Sequence, residues 1–133
     1  GLRWDLFISD PDESLPRSVI RNVRRSDKSR GYCWSPLGRY VFAVQDDPIG
    51  GHPLVVAPTD GSEEPMPFVD TQDNMDPTLV PMGAQIRLVW TALDMARPED
   101  KRYRVIHLTD FDLSQIGTVA GSGGEGGDSA RGG

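Results

Sequence analysis

Two neighbouring stretches decide the fold, Gln85–Leu93 (QIRLVWTAL) and Arg102–Thr109 (RYRVIHLT). Both are rich in the β-branched and aromatic residues that favour extended backbone. The residues between them include Arg97–Asp100 (RPED), a sequence typical of a turn. The pattern therefore predicts a long antiparallel hairpin. Because both of its faces carry apolar side chains, we expect it to lie centrally and to be covered on both sides.

Shorter strands are predicted upstream of this hairpin, at Trp4–Ser9 (WDLFIS), Arg39–Gln45 (RYVFAVQ) and Leu54–Ala57 (LVVA). Seven prolines occur between Pro48 and Pro81. Since proline cannot donate a backbone hydrogen bond, we expect this region to form edge strands and loops, not central sheet. The apolar runs are far shorter than the ~20 residues that a membrane-spanning helix needs, so no span is predicted.

One helix is predicted, over residues 14–27 near the N-terminus. Ser14 is suited to cap it and Pro16 to occupy its first turn. Its apolar positions recur at helical spacing, at Leu15, Val19, Ile20 and Val23. The basic side chains lie largely elsewhere around the helix and form the candidate docking surface, which consists of Arg17, Arg21, Arg24 and Arg25.

These elements indicate a mainly β protein, with α+β as the alternative class. We expect a single antiparallel β-sandwich or small barrel over residues 1–120, with the basic amphipathic helix packed on it. Residues 121–133 contain seven glycines and are predicted to form a Gly-rich C-terminal tail. No internal repeat of 20–50 residues is evident from the sequence.

The charge is unevenly distributed. The whole chain has a formal net charge of −6, which disfavours generic binding to nucleic acid. Residues 17–30 nevertheless carry six basic residues against a single acidic one, Asp27. A solvated basic face is the simpler interpretation of this segment, and a protein-docking surface is the functional one. Contact with nucleic acid through residues 17–30, with Tyr32 and Trp34 stacking on bases, is a weaker expectation.

Nucleophilic catalysis could use only one thiol, Cys33, with His52 or His107 as its base. We interpret Cys33 as a buried structural thiol because Tyr32 and Trp34 flank it. His107 is expected to be partly buried within a strand, and His52 to lie in an exposed loop. A Gly-x-Ser-x-Gly motif and a phosphate-binding loop followed by a helix are missing from the sequence. We therefore expect no enzymatic activity and no cofactor.

Metal binding has one weak candidate, the polar segment 70–76, which contains Asp70, Asp73, Asn74 and Asp76. The EF-hand spacing and its glycine are absent. A polar turn is therefore the preferred interpretation, a looser calcium loop stays open as the alternative, and no metal site is predicted. No motif for acid–base chemistry surrounds Asp46–Asp47 or the pair Asp110 and Asp112.

The segment Trp34–Ala43 (WSPLGRYVFA) resembles the sequence motif at the start of a strand in TolB-like β-propeller blades. The resemblance covers ten residues and departs at Leu37, where that family prefers Asp. A propeller needs at least four blades, and the sequence shows one copy of the motif. Turn chemistry alone also accounts for it, since proline and glycine favour a turn before a β-rich run. No family is assigned on this resemblance.

Taken together, the sequence predicts a non-catalytic structural or assembly protein. We expect a small subunit that docks on other protein subunits of a larger particle, such as an accessory or protruding protein of a viral capsid, in which case it would reside in the virion. The alternative is a β-sandwich binding module for carbohydrate or protein, with Trp4, Trp34 and Trp90 as candidate contact residues.

Overall fold

The structure is a computed structural model of the 133-residue chain and describes residues 4–12, 15–24, 31–47, 51–112, 114 and 116. Within these ranges the protein is mainly β, with nine strands in three antiparallel sheets. Sheet 1 pairs β1 (Leu6–Ile8) with β2 (Arg17–Ile20). Sheet 2 has the order β3 (Tyr32–Trp34), β4 (Tyr40–Val44), β5 (Leu54–Pro58) and β6 (Met66–Pro67). Sheet 3 has the order β7 (Met75–Met82), β8 (Gln85–Leu93) and β9 (Arg104–Phe111).

Sheet 2 lies between the other two sheets, and its strands β4 and β5 are buried on both faces. Along β4, Val41 and Ala43 pack with residues of sheet 1, whereas Phe42 and Val44 pack with residues of sheet 3. This alternation follows from the two-residue period of a β-strand. It explains why β4 and β5 are almost continuously apolar, as strands covered on both faces must be.

Aromatic rings join sheet 2 to sheet 3. Phe42 contacts Phe68 edge-to-face, with ring centroids 5.1 Å apart, and its ring centroid lies 5.9 Å from that of Phe111. The Phe68 and Phe111 rings are also in edge-to-face contact at 5.1 Å. Such contacts add to the stabilisation from burying the rings, so this triad helps to hold the two sheets together.

The predicted strands are confirmed for the described residues. Gln85–Leu93 forms β8, and its hairpin partner forms β9 in a register of eight consecutive pairs from Leu93↔Arg104 to Ile86↔Phe111. The shorter predictions at the N-terminus, at 39–45 and at 54–57 correspond to β1, β4 and β5.

The predicted helix over 14–27 is wrong where the structure describes that segment. Arg17–Ile20 forms β2 and pairs antiparallel with β1. The helical spacing has a different origin: the register between the two strands shifts between Leu6 and Phe7, so Val19 and Ile20 are both buried although they are adjacent. Such a shift is a β-bulge, which breaks the alternation of a regular strand.

Two expectations about strand position also need correction. The proline-rich region was expected to avoid central sheet, yet β5 lies between β4 and β6 and is buried along its whole length. Its proline, Pro58, is at the strand's end. The β8–β9 hairpin was expected to be covered on both sides, but one face of sheet 3 carries exposed apolar side chains. By contrast β7, in the same proline-rich region, is an edge strand.

The Gly-rich tail, residues 121–133, lies outside the described residues. In the described part of the chain, no helix has the length and apolar character needed to cross a membrane.

Candidate docking surface

The side of sheet 3 that faces away from sheet 2 carries an apolar surface, here called the outer face. The inner side chains of β8, such as Leu88 and Trp90, belong to the core shared with sheet 2. The intervening residues therefore project outward, and cross-strand pairing places Val89 opposite Leu108 and Thr91 opposite Ile106. On the other side of β8, β7 contributes Val80 and Met82.

The outer face is most strongly exposed on β9, an edge strand of sheet 3. Ile106 is 72% exposed and Leu108 is 57% exposed, although both are regularly paired with β8. Val80 and Met82 are less exposed, at 39% and 42%. A scattered exposed apolar residue is ordinary, but a contiguous group on one sheet face is typical of an interaction surface.

One end of the exposed pair Ile106 and Leu108 is bordered by a cross-strand ion pair, which lies in the same row of the sheet as Val80. Arg87 Nε donates to Asp110 Oδ1 at 2.8 Å and Arg87 Nη2 donates to Asp110 Oδ2 at 3.0 Å. This two-bond geometry lowers the pKa of Asp110 below its ordinary value and raises the pKa of Arg87. Both side chains are partly exposed, so the pair contributes orientation and polarity at the border more than stability.

The opposite end is bordered by Arg104. Its Nε donates to Thr91 Oγ1 at 3.2 Å, and its Nη2 donates to the backbone carbonyl of Asp73. Arg24 Nη1 donates to Asp73 Oδ1 at 2.5 Å and to the carbonyl of Asn74 at 3.1 Å. The 73–74 loop is therefore held by arginines from two different parts of the chain.

The four arginines predicted as a docking surface do not share a helical face, since Arg17 is in β2 and Arg24 follows it without a helix. Arg17 Nη1 contacts Asp10 Oδ2 at 3.2 Å and its Nε donates to the carbonyl of Thr59 at 2.9 Å. Arg24 is engaged with Asp73, as described above. Arg21 is exposed, and Arg25 lies outside the described residues. Two of the four thus bind this chain's own groups.

The three residues considered for catalysis, Cys33, His107 and His52, lie in different parts of the fold. Cys33 lies in β3 and packs against the core of sheets 2 and 3, and burial raises the pKa of its thiol to about 12. Such a thiol is protonated at neutral pH and is a poor nucleophile. His107 stacks on Trp90, with ring centroids 5.4 Å apart. His52 lies in a loop with Nδ1 3.6 Å from Asp46 Oδ1. His52 is more enclosed than the sequence suggested, because its side chain is 21% exposed.

The segment considered for calcium binding is organised by hydrogen bonds within the protein. Asn74 is fully buried; its Nδ2 donates to the carbonyls of His52 and Thr71, at 2.9 and 3.0 Å. The Asp73 carboxylate faces Arg24. Among the described residues, no group of three or more His, Cys, Asp or Glu side chains is arranged to hold a metal ion.

A cleft of about 730 Å³ lies between β9 and the segment that follows β6. The residues after β6 form one wall, including Asp70 and Thr71, and β9 contributes His107, Thr109 and Asp110. Trp90 lies beneath His107 and donates from Nε1 to Thr71 Oγ1 at 2.9 Å. The cleft thus combines Asp70 and hydroxyl-bearing residues with an imidazole stacked on an indole, whereas the Asp110 carboxylate is engaged by Arg87.

Sequence reasoning did not identify Ile106 and Leu108 as surface residues. The available signal was the presence of apolar residues on both faces of the hairpin, which was interpreted as burial on both faces. Comparisons with protein-family models, curated proteins and solved structures found no match to this chain.

Proposed function

We propose that this protein is a non-catalytic structural protein that joins a larger assembly through the outer face of sheet 3. One observation carries the proposal: Ile106 and Leu108 are 72% and 57% exposed next to each other on a regular β-sheet. Fully burying one such side chain contributes about 1.5–3 kcal/mol, so covering this face offers a substantial driving force. Rigid strands also lose little conformational entropy when a partner binds.

The borders of the outer face suit a protein partner. Along β9, Arg104 precedes Ile106 and Leu108, and Asp110, which pairs with Arg87, follows them, so charged groups lie at both ends of this apolar pair. An apolar core with a polar rim is the usual organisation of a protein–protein interface. The exposed Arg21 is the remaining described member of the predicted basic surface, and its contribution to docking stays a prediction.

Two further proposals concern the type of β fold and the kind of assembly. We propose that the sheets form a sandwich and not a barrel, which is supported by the face-to-face packing of sheet 2 against sheets 1 and 3. The role of a capsid accessory subunit in a virion stays a prediction, because an apolar docking face is equally suited to any protein assembly.

Sedimentation of three variants tests the assembly role. Ile106→Asp and Leu108→Asp each place a charge on the outer face and should shift the protein towards a 14.6 kDa monomer. Leu37→Asp is the matched control, because Leu37 is 68% exposed in the β3–β4 turn and away from this face. Equal association of all three variants and wild type would contradict the proposal.

The alternative function, a binding module, is favoured by the cleft beside β9. Asp70 and the hydroxyl-bearing residues of the cleft could bind the hydroxyl groups of a carbohydrate, with His107, stacked on Trp90, as an aromatic floor. Titration of the protein with a panel of oligosaccharides should then change Trp fluorescence, and His107→Ala should weaken the response. A response that His107→Ala leaves intact would rule out this cleft.

A further inference from the structure

The free edge of β9 is long, regular and open. β9 is the last strand of sheet 3, and no strand within the described residues pairs with it on the side away from β8. It contains no proline and pairs with β8 over eight consecutive residues without a register shift. At the other edge of sheet 3, β7 contains Pro77 and Pro81, and its register shifts between Met75 and Thr78. Prolines and bulges prevent further strands from adding to a sheet, so β7 is protected and β9 is not.

Two backbone hydrogen bonds show which residues of β9 have their backbone groups on the free edge. The Asp94 N–H donates to the Tyr103 carbonyl at 3.1 Å, in the row next to the end of the β8–β9 register. The Leu93 N–H donates to the carbonyl of Gln72, on the β7 side, at 3.2 Å. Bonded and non-bonded pairs alternate along an antiparallel ladder, so every second residue of β9 directs its N–H and C=O away from β8. These residues are Arg104, Ile106, Leu108 and Asp110.

The cleft beside β9 leaves room along this edge. His107, Thr109 and Asp110 line the cleft from β9, and residues 67–71 form its other wall. Its volume is about 730 Å³. A strand that adds to a sheet lies about 4.7–4.9 Å from its neighbour. The described residues therefore leave space beside β9 at the place where a further strand would pair with it.

The side chains of β9 fit a second copy of the same strand in one register. When two β9 strands run antiparallel about an axis at His107, Ile106 of one copy lies opposite Leu108 of the other, and Arg104 lies opposite Asp110. Cross-strand apolar pairs and pairs of opposite charge both stabilise a sheet. Moving the register by two residues would place Leu108 opposite Arg104 in one direction and Ile106 opposite Asp110 in the other. Moving it by one residue would mismatch the backbone groups and the two faces.

The charged pair selects this register more than it adds attraction. Within one copy, Asp110 is bound by Arg87, and Arg104 donates to Thr91 and to the carbonyl of Asp73. Both side chains thus already have partners on the β8 side. The attraction between the copies comes from the backbone hydrogen bonds of the free edge and from the apolar pairs.

We propose that two copies of this chain pair through the free edges of β9, antiparallel and centred on His107, and so form one six-stranded sheet. The same strand serves both copies, so the contact closes as a dimer and does not extend into a filament. This contact goes beyond the docking proposed above and does not depend on it, because pairing at the edge leaves both outer faces exposed. The dimer would present two copies of Ile106 and Leu108 side by side on one continuous face.

A cysteine at the axis tests both the contact and its register. The two His107 residues lie opposite each other in a non-bonded row, where Cα atoms are about 4.5 Å apart, a distance that a disulfide spans. On mild oxidation, His107→Cys should form a linked dimer of about 29 kDa, twice the 14.6 kDa of one chain. Wild type is the control for Cys33, whose buried thiol should not cross-link.

Thr109→Cys is the matched control for position. Thr109 also lines the cleft from β9, but in this register it lies opposite Val105 of the other copy. The two Thr109 residues are then four residues out of step, about 13 Å apart, so this variant should cross-link about tenfold more slowly than His107→Cys.

Charge exchange at His107 provides a second measurement. His107→Lys and His107→Glu each place like charges opposite each other at the axis, so each variant alone should dimerise weakly. Mixed in equal amounts, they place lysine opposite glutamate, and the association should become about tenfold tighter than that of either variant alone. Recovery on mixing also shows that both variants fold. His107 lies on the inner side of sheet 3, so these changes leave the outer face unaltered.

The outcomes separate this dimer from docking through the outer face. Cross-linking of Thr109→Cys as fast as His107→Cys, or no gain on mixing the charged variants, would overturn the edge contact and leave the proposed docking standing. Ile106→Thr/Leu108→Thr keeps β-favouring residues at the edge but removes the apolar centre of the outer face. If that variant associates as wild type does while His107→Cys cross-links as expected, the edge contact stands and docking through the outer face fails.

Discussion

Gly38 and Gly83 each lie in the connection between two antiparallel strands, β3–β4 and β7–β8, and share a left-handed backbone with φ values of 72° and 65°. A Cβ atom at either position would meet no other group within 4 Å. The requirement for glycine is therefore conformational at both sites and is independent of packing.

Gly38→Ala and Gly83→Ala should each lower the free energy of unfolding by about 1 kcal/mol, because an L-residue in the left-handed region costs about 1–2 kcal/mol. Urea denaturation of each variant measures this loss. Asparagine tolerates the left-handed region better, so Gly38→Asn and Gly83→Asn should lose less than the alanine variants. Alanine variants as stable as wild type would show that these turns do not require glycine.

Phe42 is expected to be the most sensitive of the core positions that join sheets 2 and 3, because its ring contacts both Phe68 and Phe111. Phe42→Ala should lower the free energy of unfolding by about 3–5 kcal/mol. Phe7→Ala is the control, since Phe7 is 55% exposed and should change stability by less than about 0.5 kcal/mol. Similar losses for the two variants would contradict the assigned core.

The Arg87–Asp110 pair should give stability a pH dependence. The folded protein lowers the pKa of Asp110 below its ordinary value of 3.8, so the ionised carboxylate is favoured by folding. Its contribution is fully present above the unfolded pKa and is lost as the pH falls through the folded pKa. Titration of Asp110 by NMR should show a depressed pKa in wild type and a return towards 3.8 in Arg87→Ala. An Asp110 pKa that Arg87→Ala leaves unchanged would exclude the pair as the cause.

Cys33 should resist alkylation in the folded protein. Its pKa is raised to about 12, so the reactive thiolate is scarce at pH 8. Iodoacetamide should modify the thiol slowly in native protein and rapidly in denaturant. Native labelling as fast as that of the unfolded chain would contradict the buried environment and would reopen a role for Cys33 as a nucleophile.

The strands were predictable from sequence, but the apparent helix shows where local pattern fails. Val19 and Ile20 are adjacent and both buried because the register of sheet 1 shifts. A strand with such a bulge loses its strict alternation and acquires spacing that also fits a helix. Only the pairing with β1, which ends eight residues before β2 begins, distinguishes the two.

The docking surface is hidden from the sequence for a different reason. Ile106 and Leu108 read as buried, since a strand with apolar residues on both sides is the pattern of a covered sheet. Sequence cannot distinguish a face covered by the same chain from one that awaits a partner.

The central claim is that the outer face of sheet 3 is an association surface, and the mass of the native protein tests it most directly. Light scattering over a series of protein concentrations should give a mass that rises above 14.6 kDa for wild type and stays at 14.6 kDa for Ile106→Asp/Leu108→Asp. Wild-type protein that remains a 14.6 kDa monomer throughout the series would contradict the account.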